Sequence, residues 1–147
     1  MDLLPSLRSA GAEVFAGHGV RFAYLFGSHA RGQARDGSDV DVAVYFADDV
    51  PTSEYLERAT LLSGQLAYRA HAGPIDGIVV LNEAPLRLVG RILRDRVVLY
   101  GMDDPARVDY EMRMGNLAMD FEIHAAPLDR ALLAAMAAEG RVADDGS

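Results

Sequence analysis

AYLFGSHARGQARDGSDVDVAV, residues 23–44, reads as a strand, a glycine turn, a short polar loop and a second strand. The aromatic and apolar run from Phe22 to Phe26 stops at Gly27-Ser28. From Asp39 to Phe46 the chain alternates. Asp39, Asp41, Ala43 and Tyr45 fall on one side, and Val40, Val42, Val44 and Phe46 on the other. Strand side chains repeat every two residues, so the two aspartates project from one face while the valines anchor the opposite face in a core. Neighbouring carboxylates repel each other and lose solvation. A cation between them relieves both costs, and hard oxygen donors select magnesium or manganese.

The residues just upstream complete that logic. Gly27 accepts backbone geometry closed to other residues and lets a ligand come close. Ser28 offers a hydroxyl, and a short helix starting there would aim its free first-turn amides at a phosphate. Arg31 and Arg35 add positive charge. A phosphate seat about a dozen residues ahead of a metal-binding Asp-x-Asp points to a nucleoside triphosphate held with its metal. The bland alternative is a turn followed by a solvated acidic strand edge.

Gly27-Ser28-x-Ala30-Arg31-Gly32, five further residues, and then Ser38-Asp39-x-Asp41 resemble the signature of the polymerase-beta-like nucleotidyltransferase superfamily. In detail the stretch is similar to the minimal nucleotidyltransferases (MNT), which are paired with HEPN toxins. The spacing matches without a gap; the likeness is strongest from Ala23 to Phe46 and fades toward Tyr100. It implies an α/β (α+β) nucleotidyltransferase fold, with a small mixed sheet of about four strands flanked by helices. It also implies transfer of a nucleoside monophosphate, AMP from ATP, to a hydroxyl of a HEPN-type partner protein. Gly27, Ser28, Arg31 and Ser38 would lie at the nucleotide, with a structural salt bridge as the equal alternative for Arg31. Asp39 and Asp41 would hold two magnesium ions.

Members of the superfamily carry a third metal-binding carboxylate on a later strand, and Asp76 is the candidate, in both metal and catalytic roles. The pattern there is an Asp, three residues and a Leu, whereas Leu81 stands five positions after Asp76. Gly77 would restore the facing by forming a bulge; otherwise Asp76 faces away or caps a turn. Two further functions stay open. One is an antitoxin that neutralises its partner by contact alone, without chemistry. The other is a small-molecule (antibiotic) nucleotidyltransferase acting as a dimer.

Composition narrows the field. At 147 residues the chain makes one domain with its own core. Without cysteine it has neither disulfides nor a thiolate metal site. No apolar run approaches membrane-spanning length, so a cytoplasmic protein is expected. The formal net charge is −8, and all 14 Lys and Arg residues are arginines. That balance disfavours strong nucleic-acid binding, which draws its affinity from cations on phosphates. It suits a small nucleotide and a protein partner.

The remaining periodicities supply the frame. Leu3 to His18 is a helix ending at Gly19. Thr52 or Ser53 caps a second helix to about His71, with Tyr55, Leu56, Ala59, Leu62, Leu66 and Ala67 as its buried stripe. Ile75 to Asn82 reads as a buried third strand. A short helix from Pro85 to Asp95 and an edge strand from Val97 to Tyr100 follow. Asp104 caps the last helix with Pro105 at its first position. In that helix Tyr110, Met114, Leu117, Phe121, His124 and Leu128 form a heptad-like seam, and Met112, Met119, Ile123 and Ala126 a second face. Both faces bury within the protomer, or one carries a homo- or hetero-oligomer contact. Pro127 is expected to kink or split the helix. The expected organisation is a nucleotidyltransferase core over 1–104, a C-terminal helical extension of the same domain over 105–139 and a flexible tail over 140–147.

Overall fold

A computed structural model describes residues 3–35, 37–72, 75 and 77–144, with side-chain surroundings along the last helix given through Ile123 and at a few positions beyond. In chain order these form α1 (Leu3–Gly17), β1 (Val20–Phe26), β2 (Asp41–Phe46), α2 (Tyr55–Ala70), β3 (Ile78–Val80), α3 (Leu86–Asp95), β4 (Val97–Tyr100) and α4 (Pro105–Asp144). The sheet order is β3-β2-β1-β4. β1 runs antiparallel to both β2 and β4, and β2 runs parallel to β3, so the sheet is mixed. The α/β class and the four-strand mixed sheet are as the sequence led one to expect.

Alternation along the strands sorts the core into two layers. Ala23 and Leu25 of β1, with Val40, Val42, Val44 and Phe46, pack against Leu7, Val14 and Phe15 of α1 and Leu62 and Leu66 of α2. The other faces, Phe22, Tyr24 and Ala43, pack against Val89, Ile92 and Leu93 of α3 and Tyr110 of α4. Phe22 is the hub of this second layer. Its ring stacks on Tyr45 at 4.8 Å between centroids and meets Tyr110 at 5.4 Å. The turn from α1 into β1 passes through Gly19 at φ +76, the left-handed conformation that ends helices and favours glycine.

Helix α4 starts as expected. Asp104 Oδ1 accepts the Ala106 N–H at 2.9 Å, and the Arg21 guanidinium bonds the same carboxylate at 2.9 Å. Burial pulls the Asp104 pKa upward, but the Ala106 amide and Arg21 outweigh it and hold it below the usual carboxylate range.

Several expectations are corrected. Helix α2 begins at Tyr55 after a single 3-10 turn, with no side-chain cap from Thr52 or Ser53. Its buried stripe is Tyr55, Ala59, Leu62, Leu66 and Ala70, and Leu56 is 80% exposed. β3 has only three residues, all half-buried, and lies at the sheet edge. Gly77 precedes it rather than bulging within it. Helix α4 runs through Pro127 as one assigned helix of 40 residues. On α4, Tyr110 and Ala118 bury and Met114 packs half-buried beside them, whereas Leu117 is half-exposed. Ala118 fits because it crosses α3 at Gly90, where an added β-carbon would sit 3.0 Å from the Ala118 methyl. The second face stays open: Val108, Met112, Met119 and Ile123 are all exposed. The side chains of His124, Ala126 and Leu128 lie outside the described residues.

Candidate active site

The site forms where β1 ends and β2 begins. Asp41 is the first residue of β2 and pairs across the ladder with Phe26, the last of β1. Gly27 therefore turns directly beside the Asp41 side chain. Its φ is +76, and a β-carbon placed there would collide with Asp41 Oδ2. Glycine is thus required twice, for the backbone conformation and for the space the carboxylate fills. Val40, between the two aspartates, is buried in the α1/α2 layer. The strand expected from Asp39 begins only at Asp41, so Asp39 lies two residues before it; Asp41 is half-buried and Asp39 exposed.

The electrostatics match that placement. Burial raises the Asp41 pKa and the negative charge of Asp39 raises it further, while His29 and Arg31 oppose the shift. The native form therefore binds its proton more tightly than the unfolded chain, so stability falls as pH rises from the ordinary carboxylate value to the raised native one. Above that window the full cost persists, and neutral pH lies above it. Asp41→Asn should remove the cost. Without divalent metal, its melting temperature is expected above wild type at neutral pH and equal to it under acid; a lower neutral value would contradict this electrostatic account.

Gly27 and Ser28 open a tight turn rather than the short helix the sequence allowed. The Arg31 N–H donates to Gly27 O at 3.1 Å and the Gln33 N–H to Ser28 O at 2.8 Å. The amides of Ser28, His29 and Ala30 bond no other backbone group among the described residues. Three N–H groups thus remain for an anion next to the carboxylates.

Ser38 closes the loop. Its Oγ accepts the Arg35 N–H at 2.8 Å, its own N–H donates to Arg35 O at 2.9 Å, and its carbonyl lies 3.2 Å from His29 Nε2. The His29 bridge ties the two limbs of the loop together, a role sequence reasoning missed because it rests on a partner nine residues away. Arg31 donates from Nη1 to Asp95 Oδ2 at 2.6 Å and from Nε to Gln33 Oε1 at 3.3 Å. The structural salt bridge is therefore formed, and Asp95 is a neighbour of the site that no sequence motif announced. Asp76 lies outside the described residues.

The paired carboxylates fit a hard divalent cation. They supply oxygen donors, sit in a cradle that a side chain on Gly27 would fill, and repel each other in its absence. No group of three or more His, Cys, Asp or Glu side chains suited to a metal occurs among the described residues, so the remaining ligands would come from water, phosphate oxygens or Asp76.

A glycine turn beside a carboxylate at the first position of β2 and a second one two residues before it, on a small mixed sheet covered by helices, defines a nucleotidyltransferase-like domain. Residues 12–105 match the family model described as polymerase beta, nucleotidyltransferase, and the chain belongs to that family. Among solved structures it is similar to a chain of a toxin–antitoxin complex with AMP-PNP, at 20% identity and a TM-score of 0.65, over 88% of this chain and 97% of that one. It is also similar to a chain of a Shewanella oneidensis complex between a tri-AMPylated HEPN toxin and an MNT antitoxin, at 19% identity and a TM-score of 0.62. That match covers 90% of this chain and 98% of the other. At these identities the likeness concerns the fold. No curated protein sequence matches the chain significantly. Among the described residues no helix is long and apolar enough to cross a membrane.

Proposed function

We propose that the protein is a metal-dependent nucleotidyltransferase that moves AMP from ATP onto a hydroxyl of a partner protein, a HEPN-type toxin that it thereby neutralises. The observation that carries this reading is the carboxylate pair Asp39 and Asp41 set against the Gly27-Ser28 turn, whose next three amides bond no backbone group among the described residues. The family match supports the nucleotidyl chemistry. The nucleotide and the AMPylated toxin in the similar structures support the donor and the acceptor.

In this reading the amides of the 28–30 turn and the Ser28 hydroxyl bind the β- and γ-phosphates, and Arg31 adds a cation at their edge. Ser38, bonded within the loop, keeps the approach to Asp39 fixed. Asp39 and Asp41 would hold magnesium, or manganese, and Asp76 would complete the set. When bound, the metal neutralises phosphate charge and lowers the pKa of the attacking hydroxyl. The acceptor oxygen bonds to the α-phosphorus, the bond from that phosphorus to the bridging oxygen breaks, and pyrophosphate leaves. The hydroxyl proton passes to a carboxylate or to water.

A protein acceptor would bring its own surface to this chain. The exposed apolar residues Val108, Met112, Met119 and Ile123 on α4 offer such a partner a docking flank. The same flank favours the second reading, neutralisation by contact alone. Incubation with ATP labelled in the α-phosphate, magnesium and the protein encoded next to this chain decides between them. Label is expected on the partner. An unlabelled partner that is nevertheless bound and inhibited would establish contact neutralisation instead.

A further inference from the structure

We infer that Asp95, at the end of α3, is a positioning residue that holds the Arg31 guanidinium as a contact for a nucleoside triphosphate. The inference rests on the nucleotidyltransferase reading and adds to it a residue 64 positions from the turn it serves.

Two observations lead there. First, Asp95 is poorly placed for its own helix. It is the last residue of α3, where the carbonyl ends concentrate negative charge and an acidic side chain is unfavourable. Its oxygen instead meets a cation, lying 2.6 Å from Arg31 Nη1. The Asp95 side chain is only 19% exposed, so water screens the pair less than it would at the open surface.

Second, Arg31 is held at both ends. Its N–H is bonded into the 27–31 turn, and its head is bonded to Asp95 and Gln33. Among the described residues two of the five guanidinium N–H donors are thereby used, which leaves three for an incoming anion. A guanidinium fixed this way loses little rotamer freedom when it meets a phosphate.

The test is equilibrium binding of manganese–ATP to the full chain, followed by fluorescence or calorimetry. Asp95→Asn is expected to weaken binding about tenfold. Asp95→Glu, which keeps the charge, should recover most of that loss. In an Arg31→Ala background, Asp95→Asn should cost nothing further, since the residue acts through Arg31. In transfer assays the Asp95→Asn loss should appear in KM for ATP, with kcat nearly unchanged. Equal losses in both backgrounds would make Asp95 a purely structural residue and overturn the inference. So would unchanged or tighter binding by Asp95→Asn when wild type binds. If wild type itself fails to bind manganese–ATP, the nucleotidyltransferase reading fails and takes this inference with it.

Discussion

Asp39→Ala and Asp41→Ala are each expected to lower transfer of AMP by about a thousandfold or more while leaving the protein folded. A metal ion supplies several kcal/mol of charge stabilisation to a reaction of this kind, and each 1.4 kcal/mol is a factor of ten in rate. Both substitutions remove a ligand that the fold does not use. Asp39 is exposed, and at Asp41 burial and the charge of Asp39 outweigh His29 and Arg31 in disfavouring the charged form. The double variant should lose scarcely more than either single one, because two ligands of one centre act as a unit. Metal-induced stabilisation gives a separate readout. Manganese with ATP at a hundredfold excess over Kd should stabilise wild type by about 2.7 kcal/mol, and either alanine variant much less. Retained transfer activity in both single variants would remove the carboxylates from the mechanism, whereas lost transfer with the partner still neutralised would leave contact as the standing explanation.

Much of the site was legible in the sequence because it is local. The alternation from Asp39 to Phe46 needs only a period of two, and each of Val40, Val42, Val44 and Phe46 is buried as that period requires. The collision that makes Gly27 obligatory was not legible, since it depends on the ladder placing Phe26 opposite Asp41. Leu56 shows the opposite case, a residue assigned to the core for its hydrophobicity. A stripe anchored on Tyr55 recurs at Ala59, Leu62 and Leu66, and on a helix Leu56 lies about 100° away from its neighbour.

The third strand was overestimated for a physical reason as well. An Ile-Val-Val-Leu run signals burial, not ladder length. Here Leu81 buries beneath α3, and its N–H still bonds Val44 O at 2.8 Å. The ladder then ends on a side chain: Asn82 Oδ1 accepts the Phe46 N–H at 2.8 Å and Nδ2 donates to Phe46 O at 3.0 Å. An amide standing in for a strand residue leaves no periodic trace. On α4 a strict heptad nominated Leu117. A straight helix drifts about 20° per heptad relative to that repeat, and the packing at Gly90 selects Ala118 instead. The Arg31–Asp95 pair is the extreme case, for no local pattern links residues 64 positions apart.

Glu111→Ala should be the most destabilising single change on the α4 side of the sheet, at about 3–5 kcal/mol. The Glu111 carboxylate accepts the Tyr24 hydroxyl at 2.7 Å, is bonded by Arg107 one turn away, and receives Arg96 Nε at 3.0 Å. One side chain from α4 thus satisfies a hydroxyl on the central strand β1 and an arginine between α3 and β4. Truncation leaves the Tyr24 hydroxyl inside the second core layer without its acceptor, and Arg107, only 14% exposed, without its counter-charge. Glu111→Gln, which keeps an acceptor but not the charge, should cost roughly half as much. The pairwise share can be isolated with Tyr24→Phe, since that variant alone loses one hydrogen bond and no charge. Tyr24 also makes the alkaline limb of stability informative. Burial first, and the Glu111 bond second, push its pKa well above the ordinary tyrosine value. The folded protein therefore holds a proton that the unfolded chain releases above about pH 10, so stability falls as pH rises beyond that point. Tyr24→Phe should flatten that fall. Denaturant midpoints measured from neutral pH to about pH 11 test both claims, and a Glu111→Ala cost below about 1 kcal/mol would mean that α4 is held by its apolar contacts alone.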